Sequence, residues 1–223
     1  MIAPTTSPAL IIAPHALDEV LGCGGVIARH ADEGREVRIL ILNGDGAGRD
    51  AERRGAAGRA AQLLGARAPL FAGFPENRSD TVPLAELIAV IERAVQELRP
   101  ALVYVTHGGN LNIDHQTAFR AAATALRPAP GSPVSEFYGY EIASSTDWAP
   151  PGFGETFQPT RFVDITPTLA RKMQALALYL SEMRAEPHAR SIKSVENLAR
   201  ARGASIGVAS AEAFTVLRVI ERA

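Results

Sequence analysis

The stretch that most constrains the fold is Leu10 to Gly25, which reads Leu-Ile-Ile-Ala-Pro-His-Ala-Leu-Asp-Glu-Val-Leu-Gly-Cys-Gly-Gly. A run of consecutive apolar residues closed by a proline is the mark of a short strand buried on both faces, as inside a parallel sheet. Pro14 stops that strand, and Val20, Leu21, Gly24, Ile27, Ala28 and Ala31 recur at helical spacing almost at once. A buried strand that turns directly into a helix commits the chain to an α/β arrangement. It also puts His15 and Asp18 beyond the carboxyl end of a strand, where open α/β sheets place their ligands. An imidazole and a carboxylate three residues apart in such a turn suit a divalent cation of the zinc type. Two ligands leave a site incomplete, so another part of the chain must supply a third.

The pattern repeats downstream. Residues 37–42 read as a second strand, followed by the loop Asn43-Gly44-Asp45-Gly46, and residues 51–64 as a helix closed by Gly65. Residues 69–73 read as a third strand, residues 84–98 as a helix with Pro83 in its first turn, and residues 102–106 as a fourth strand. These alternations predict a Rossmann-like, three-layer α/β/α fold with a mainly parallel sheet. A helix is expected from Gln116 to Leu126, with Asp114 standing as its N-cap. In the last third, residues 135–143 read as a strand and residues 144–159 as a loop rich in Pro, Gly, Ser and Thr. Thr166-Pro167 opens a long helix stepping through Leu169, Met173, Leu176, Leu180 and Met183, a short helix ends at Gly203, and residues 214–220 form a last strand. No repeat or low-complexity linker divides the chain, so residues 1–223 are expected to form a single domain with a C-terminal elaboration.

Composition narrows the partners. The 23 Lys and Arg residues nearly balance 24 Asp and Glu, and no basic block stands out, which argues against nucleic acid or an anionic membrane surface. A single cysteine, the lack of a signal-type N-terminus and the absence of any apolar run near the ~20 residues of a bilayer span predict a soluble, cytoplasmic protein acting on a small molecule. Gly22, Gly24 and Gly25 do not match G-x-G-x-x-G and no P-loop lysine follows, so close packing of the first helix on the sheet accounts for them. Cys23 belongs in the core. His30 is expected at the surface, and His188 in a structural role or at a subunit contact, with a role in the pocket as the alternative, which leaves a homo-oligomer open.

The five histidines carry the functional argument. His107 and His115 follow the fourth strand as His15 follows the first. If those strands are neighbours, His15, Asp18 and His115 meet as three ligands with one open position, the catalytic type of zinc site. Each turn alone has a plainer account, a helix entry with a capping carboxylate and an imidazole bonded to backbone.

With both motifs in view, the chain resembles the PIG-L (LmbE-like) family of metal-dependent N-deacetylases. The family's His-Pro-Asp-Asp-Glu and its Gly-rich helix start correspond to His15-Ala16-Leu17-Asp18-Glu19 and the residues through Gly25. Asn110-Leu111-Asn112-Ile113-Asp114-His115 resembles the second motif of one branch, Asp-Leu-Asn-x-Asp-His. Residues 74–80, Glu141 to Trp148, Glu182-Met183-Arg184, Pro187 to Ser191 and Ala211 to Phe214 resemble the same branch. The resemblance implies a zinc-dependent hydrolase, or one using another divalent metal, that removes an N-acetyl or N-acyl group from an amino-sugar conjugate through a metal-activated water. It implies His15, Asp18 and His115 as ligands and Arg54, Asn110 and Asn112 on the substrate side. The family's general-base aspartate is Leu17 here. Asp114, Glu19 and Glu76 are the candidates to replace it, Asp114 alternatively orienting an imidazole. His107 is either an acid or oxyanion donor or a loop histidine bonded to backbone. The alternative is a catalytically impaired homologue that binds metal or sugar.

Overall fold

The computed structural model describes residues 7–44, 46 and 48–221; Asp45, in the loop read after the second strand, lies outside them. The first apolar run is strand β1 (Ala9–Ala13), with all five residues buried. It lies between β2 (Val37–Asn43) and β4 (Leu102–Thr106) and is parallel to both. Because side chains alternate along a strand, Ala9, Ile11 and Ala13 join one core and Leu10 and Ile12 the other. The first core holds helices α1 (Asp18–Asp32) and α2 (Arg49–Leu64), and the second holds α3 (Leu84–Leu98) and α4 (Ile113–Ala125). This is the doubly covered sheet that an uninterrupted apolar strand requires.

The strand order is β3-β2-β1-β4-β5-β7-β6, with β3 (Leu70–Phe74) and β5 (Glu136–Tyr140) parallel to their neighbours β2 and β4. The winding runs outward from β1 to β3 and restarts on the other side of β1 at β4. The β1/β4 crevice is therefore the point where the order reverses, the place at which such sheets bind ligands. Strand β7 (Ala211–Val219) is antiparallel to both β5 and the edge strand β6 (Arg161–Asp164). No helix among the described residues is long and apolar enough to cross a membrane.

Several expectations change. Strand β6 was not expected: Arg-Phe-Val-Asp is four half-buried residues on a sheet edge, too short to show an alternating pattern. The long helix is only α5 (Leu169–Ala177); residues 178–182 are turns, Leu180 is 73% exposed, and Tyr179 and Met183 still reach the core. Strand β5 stops at Tyr140, short of the expected 143, and residues 141–145 bend toward the β1/β4 crevice. His30 is buried rather than at the surface, with its Nε2 3.0 Å from the Tyr104 hydroxyl. Helix α6 (Ile192–Ala204) begins as expected after residues 187–191, capped by the Ser191 Oγ, which accepts from the Ser194 amide at 3.0 Å.

The glycines of α1 are packing residues, as expected, but α5 shares the contact with the sheet. A Cβ on Gly22 would lie 2.1 Å from the Tyr140 ring and one on Gly25 2.6 Å from Ile165. Into this thinned face the C-terminal elaboration inserts a buried ion pair. The Glu212 carboxylate accepts from the amides of Gly25 and Val26, both at 2.8 Å, and Lys172 Nζ donates to the Leu21 carbonyl at 2.8 Å and to Glu212 at 2.7 Å. Leu21 O and Gly25 N are one acceptor and donor of the i→i−4 ladder, so the pair plugs into the helix backbone itself.

Candidate metal centre

The β1-to-α1 turn folds around a carboxylate. Asp18 Oδ2 accepts from the His15 amide at 3.0 Å and lies 3.2 Å from His15 Nδ1. The geometry places Leu17 at φ 102°, ψ −36°, a left-handed region that leucine rarely occupies. The Leu17 carbonyl accepts the Val20 and Leu21 amides, so Asp18 falls in the first helical turn rather than at the cap. At the end of β4 the expected N-cap is corrected. Asn112, not Asp114, caps α4, its Oδ1 accepting the Asp114 amide at 2.8 Å. The Asp114 side chain is thereby free to turn toward β1, where its Oδ2 meets His15 Nε2 at 2.8 Å.

His15, Asp18 and His115 converge, one ligand atom from each lying within 4.8 Å of the other two. His15 Nδ1 and His115 Nε2 stand 3.2 and 3.3 Å from the same Asp18 oxygen. A tetrahedral ion with bonds of ~2.0–2.1 Å holds its ligand atoms about 3.3 Å apart, so the donor set fits a metal of this kind in both chemistry and spacing. The outer nitrogen of each ring is held too. Asp114, itself fixed by the Asn77 and Ser79 amides at 2.6 and 3.0 Å, takes His15 Nε2. Asn43, at the end of β2, anchors that loop by donating to the Pro75 carbonyl at 2.9 Å and the Ser79 hydroxyl at 2.6 Å. His115 Nδ1 lies 3.1 Å from Asn110 Nδ2, which is itself a donor, and 3.4 Å from the Thr106 hydroxyl, the one of the two that can accept an Nδ1 proton. A carboxylate or hydroxyl that accepts the outer proton fixes the tautomer of a ligating imidazole.

Burial disfavours charge on His15, yet its hydrogen bonds to Asp114 and Asp18 outweigh that and raise it to about 10. Burial pushes Asp18 up, but the two imidazoles hold it well below the usual carboxylate range. Asp114 is likewise held low, against its burial, by His15 and the two amides. The metal-free cluster thus carries a proton on His15 that a cation must displace.

The remaining expected residues are distributed as follows. Glu19 is fully buried, bonded to the Tyr179 hydroxyl and, at 2.9 Å, to the Leu17 amide; burial raises it to about 7. It lies beneath the turn and is not part of the cavity wall. His107 is also away from that wall: its Nε2 is 2.7 Å from the Glu155 carbonyl, and it lines a separate cavity of about 130 Å³ with Phe157. Arg54 is bonded to Asp50 at 2.8 Å and the Gly44 carbonyl at 2.6 Å and lies over the Phe71 ring. Asn110 is buried behind His115 rather than facing the cavity. Asn112 and Glu76 do line it, Glu76 paired with Arg53 at 2.9 Å.

The cavity over the three ligands measures about 280 Å³. Leu17 forms part of its wall, and the far side comes from Ile142, Ser144, Ser145, Glu182, Arg184 and Arg190, with Arg49 and Arg53 from α2. The arginines were not singled out from the sequence as individual residues. The only signal for two of them was that the segments 182–184 and 187–191 look like one family branch.

A model of the GlcNAc-PI de-N-acetylase (PIG-L) family matches residues 10–126. The uncharacterized deacetylase YaiS of Escherichia coli strain K12 is 26% identical over 143 residues, 61% of this chain and 74% of that relative. Among solved structures, the conserved protein TT1542 from Thermus thermophilus superposes with a TM-score of 0.78 at 27% identity, covering 97% of each chain. The N,N'-diacetylchitobiose deacetylase from Pyrococcus horikoshii, solved with an inhibitor, gives 0.77 at 20% identity over 96% of this chain and 85% of that one.

Proposed function

Because the chain belongs to the GlcNAc-PI de-N-acetylase (PIG-L) family, we propose that it is a metal-dependent hydrolase removing an N-acetyl, or other N-acyl, group from an amino-sugar-type substrate. The observation that carries this reading is the cluster of His15, Asp18 and His115 at the floor of a cavity in the β1/β4 crevice, with both imidazoles pinned from behind. The resident metal is proposed to be zinc, whose preference for nitrogen and carboxylate ligands with one open position suits this set. A bound divalent ion supplies Lewis acidity, polarising the acyl carbonyl and acidifying water beside it.

The chain's own groups then have the following roles. Asp114 would hold His15 with Nδ1 toward the cation, and Thr106, to which Asn110 donates, would hold His115 with Nε2 toward it. Asn112 lies at the cavity wall, its side chain bonded to the Asp114 amide and to the Asn77 side chain. The proton-accepting part of the set is thin. Leu17 cannot accept a proton, Asp114 is engaged by His15 and two amides, and Arg53 holds the Glu76 carboxyl below its ordinary range. A positioned general base typically contributes about 10²–10⁴-fold, so hydrolysis here is expected to be slow. Leu17 also favours a second reading, a metal- or sugar-binding homologue with impaired catalysis.

Two measurements decide between them. Elemental analysis should find one divalent ion per wild-type chain and a large loss in His15→Ala, Asp18→Ala and His115→Ala. Stoichiometric metal in all three variants would refute the ligand assignment. Zinc-loaded wild type should release acetate from N-acetylglucosamine conjugates; a protein that retains metal and binds the sugar without releasing acetate is the impaired homologue.

A further inference from the structure

Arg184 and Arg190 are the cavity-lining cations left without a counter-charge. Of the four arginines in the wall, Arg49 is paired with Glu182 at 2.6 Å and Arg53 with Glu76. The remaining carboxylate of the wall, Asp18, belongs to the ligand cluster. Among the described residues neither the Arg184 nor the Arg190 guanidinium meets a carboxylate, and the buried Nε of Arg190 has no hydrogen-bond partner. An unsatisfied buried donor is costly, and the buried Nε of Arg53, in the same wall, shares that condition.

The two arginines are held together rather than dangling. The Arg184 amide donates to the Arg190 carbonyl at 3.2 Å, closing the loop between them. Inside the loop the Arg190 amide donates to His188 Nδ1 at 2.9 Å, and the His188 ring packs against Trp148 with centroids 5.0 Å apart. Ser191, next in the chain, caps α6. The guanidiniums therefore project from a braced turn, and a planar fork of donors on a fixed base is suited to the oxygens of a carboxylate or phosphate. A bound divalent metal adds further positive charge to the same space.

We propose that the substrate of this site carries an anionic oxygen-rich group, a carboxylate or a phosphate, which Arg184 and Arg190 bind while the N-acyl group lies at the His15, Asp18 and His115 end of the cavity. This assignment of substrate class rests on the hydrolase reading, while the anion subsite itself does not. Its size fits: a cavity of about 280 Å³ is at the small end of ligand pockets, matching one sugar ring and a short charged substituent.

The test compares N-acetylglucosamine as its methyl glycoside, carboxymethyl glycoside, 1-phosphate and 6-phosphate, using zinc-loaded wild type, Arg184→Gln and Arg190→Gln. Both acetate release and binding by calorimetry are measured. We expect at least one charged ligand to be preferred over the neutral glycoside, with the charged-to-neutral ratio of kcat/KM falling about tenfold or more in each variant, the scale of one charge-assisted contact. Which charged ligand is preferred separates carboxylate from phosphate and fixes its position. Equal handling of charged and neutral ligands by wild type, or a preference that survives both substitutions, overturns the proposal and leaves the hydrolase reading intact. If no ligand is hydrolysed, binding decides alone: tighter binding of a charged ligand that is lost in Arg184→Gln keeps the anion subsite while the hydrolase reading fails. No such difference in binding overturns both. Arg184 is exposed, so its variant tests the idea without the folding cost that burial of the Arg190 Nε attaches to the other.

Discussion

Leu17 is the residue on which the proposed activity turns. It lines the cavity beside the metal ligands yet is only 3% exposed, with its side chain among the core residues. Aspartate tolerates positive φ better than leucine, so Leu17→Asp suits the backbone while surrendering apolar burial worth about 1.5–3 kcal/mol. We predict a variant of lower melting temperature that deacetylates an N-acetyl sugar up to about 10²-fold faster than wild type, the low end of what a general base supplies. A metal-replete, folded variant with no gain would point to a base elsewhere, and Asp114→Asn is then the substitution to assay. The second prediction at this scale concerns pH. His15 is raised in the metal-free protein from its ordinary 6.5 to about 10, so that interaction stabilises the fold fully below 6.5 and is lost as pH rises through about 10. A cation needs the neutral ring, so apparent zinc affinity should climb by up to about tenfold per pH unit across that window. Competition titrations with a chelator of known pH dependence will show it, and a flat profile would refute the protonated apo cluster. The meeting of His15, Asp18 and His115 was legible in the sequence, because the first two follow β1 and the third follows its neighbour β4. The roles of Asn110 and Asp114 were not, since which way a side chain turns depends on the loop that comes to meet it.

At the scale of elements, α1 is shaped by what presses on it. Glycine inside a helix costs about 1 kcal/mol against alanine, so Gly22→Ala would stabilise an exposed helix. Here the new methyl would meet the Tyr140 ring at 2.1 Å, and that ring is anchored through its hydroxyl to the Ile12 carbonyl at 2.8 Å. Overpacking at about 1–3 kcal/mol wins, and we predict a net loss of stability for Gly22→Ala, read as a lower melting temperature. A neutral or stabilising result would mean that α1 can slide away from β5. The sequence announced strands β1 to β4 and their helices because each has its own apolar run and a Gly or Pro stop. It failed at β6 and at the end of α5. An edge strand of four half-buried residues has no period to detect, and the spacing of Leu176, Leu180 and Met183 imitates a helical face although Leu180 and Met183 lie beyond the helix end.

Across the whole molecule, a buried ion pair reinforces the join between the C-terminal elaboration and helix α1, beside the pairing of β7 with β5. Lys172 and Glu212 side chains are each 4% exposed. Removing one partner of such a pair typically costs about 3–5 kcal/mol, because the other charge is left alone. We predict that Lys172→Met lowers stability by that order in chemical denaturation, with one transition and with metal binding lost in step, since the pair grips the same helix that carries Asp18. Two transitions would show that the elaboration unfolds alone. The architecture also separates two tasks along the chain. All three ligands lie within residues 10–126, the segment that the family model matches, whereas Arg184 and Arg190 come from beyond it. On the two proposals, reaction type and substrate choice would be encoded in different parts of the gene. A chimaera that replaces only the segment after residue 126 would then change which charged group is bound and leave the floor of the site intact.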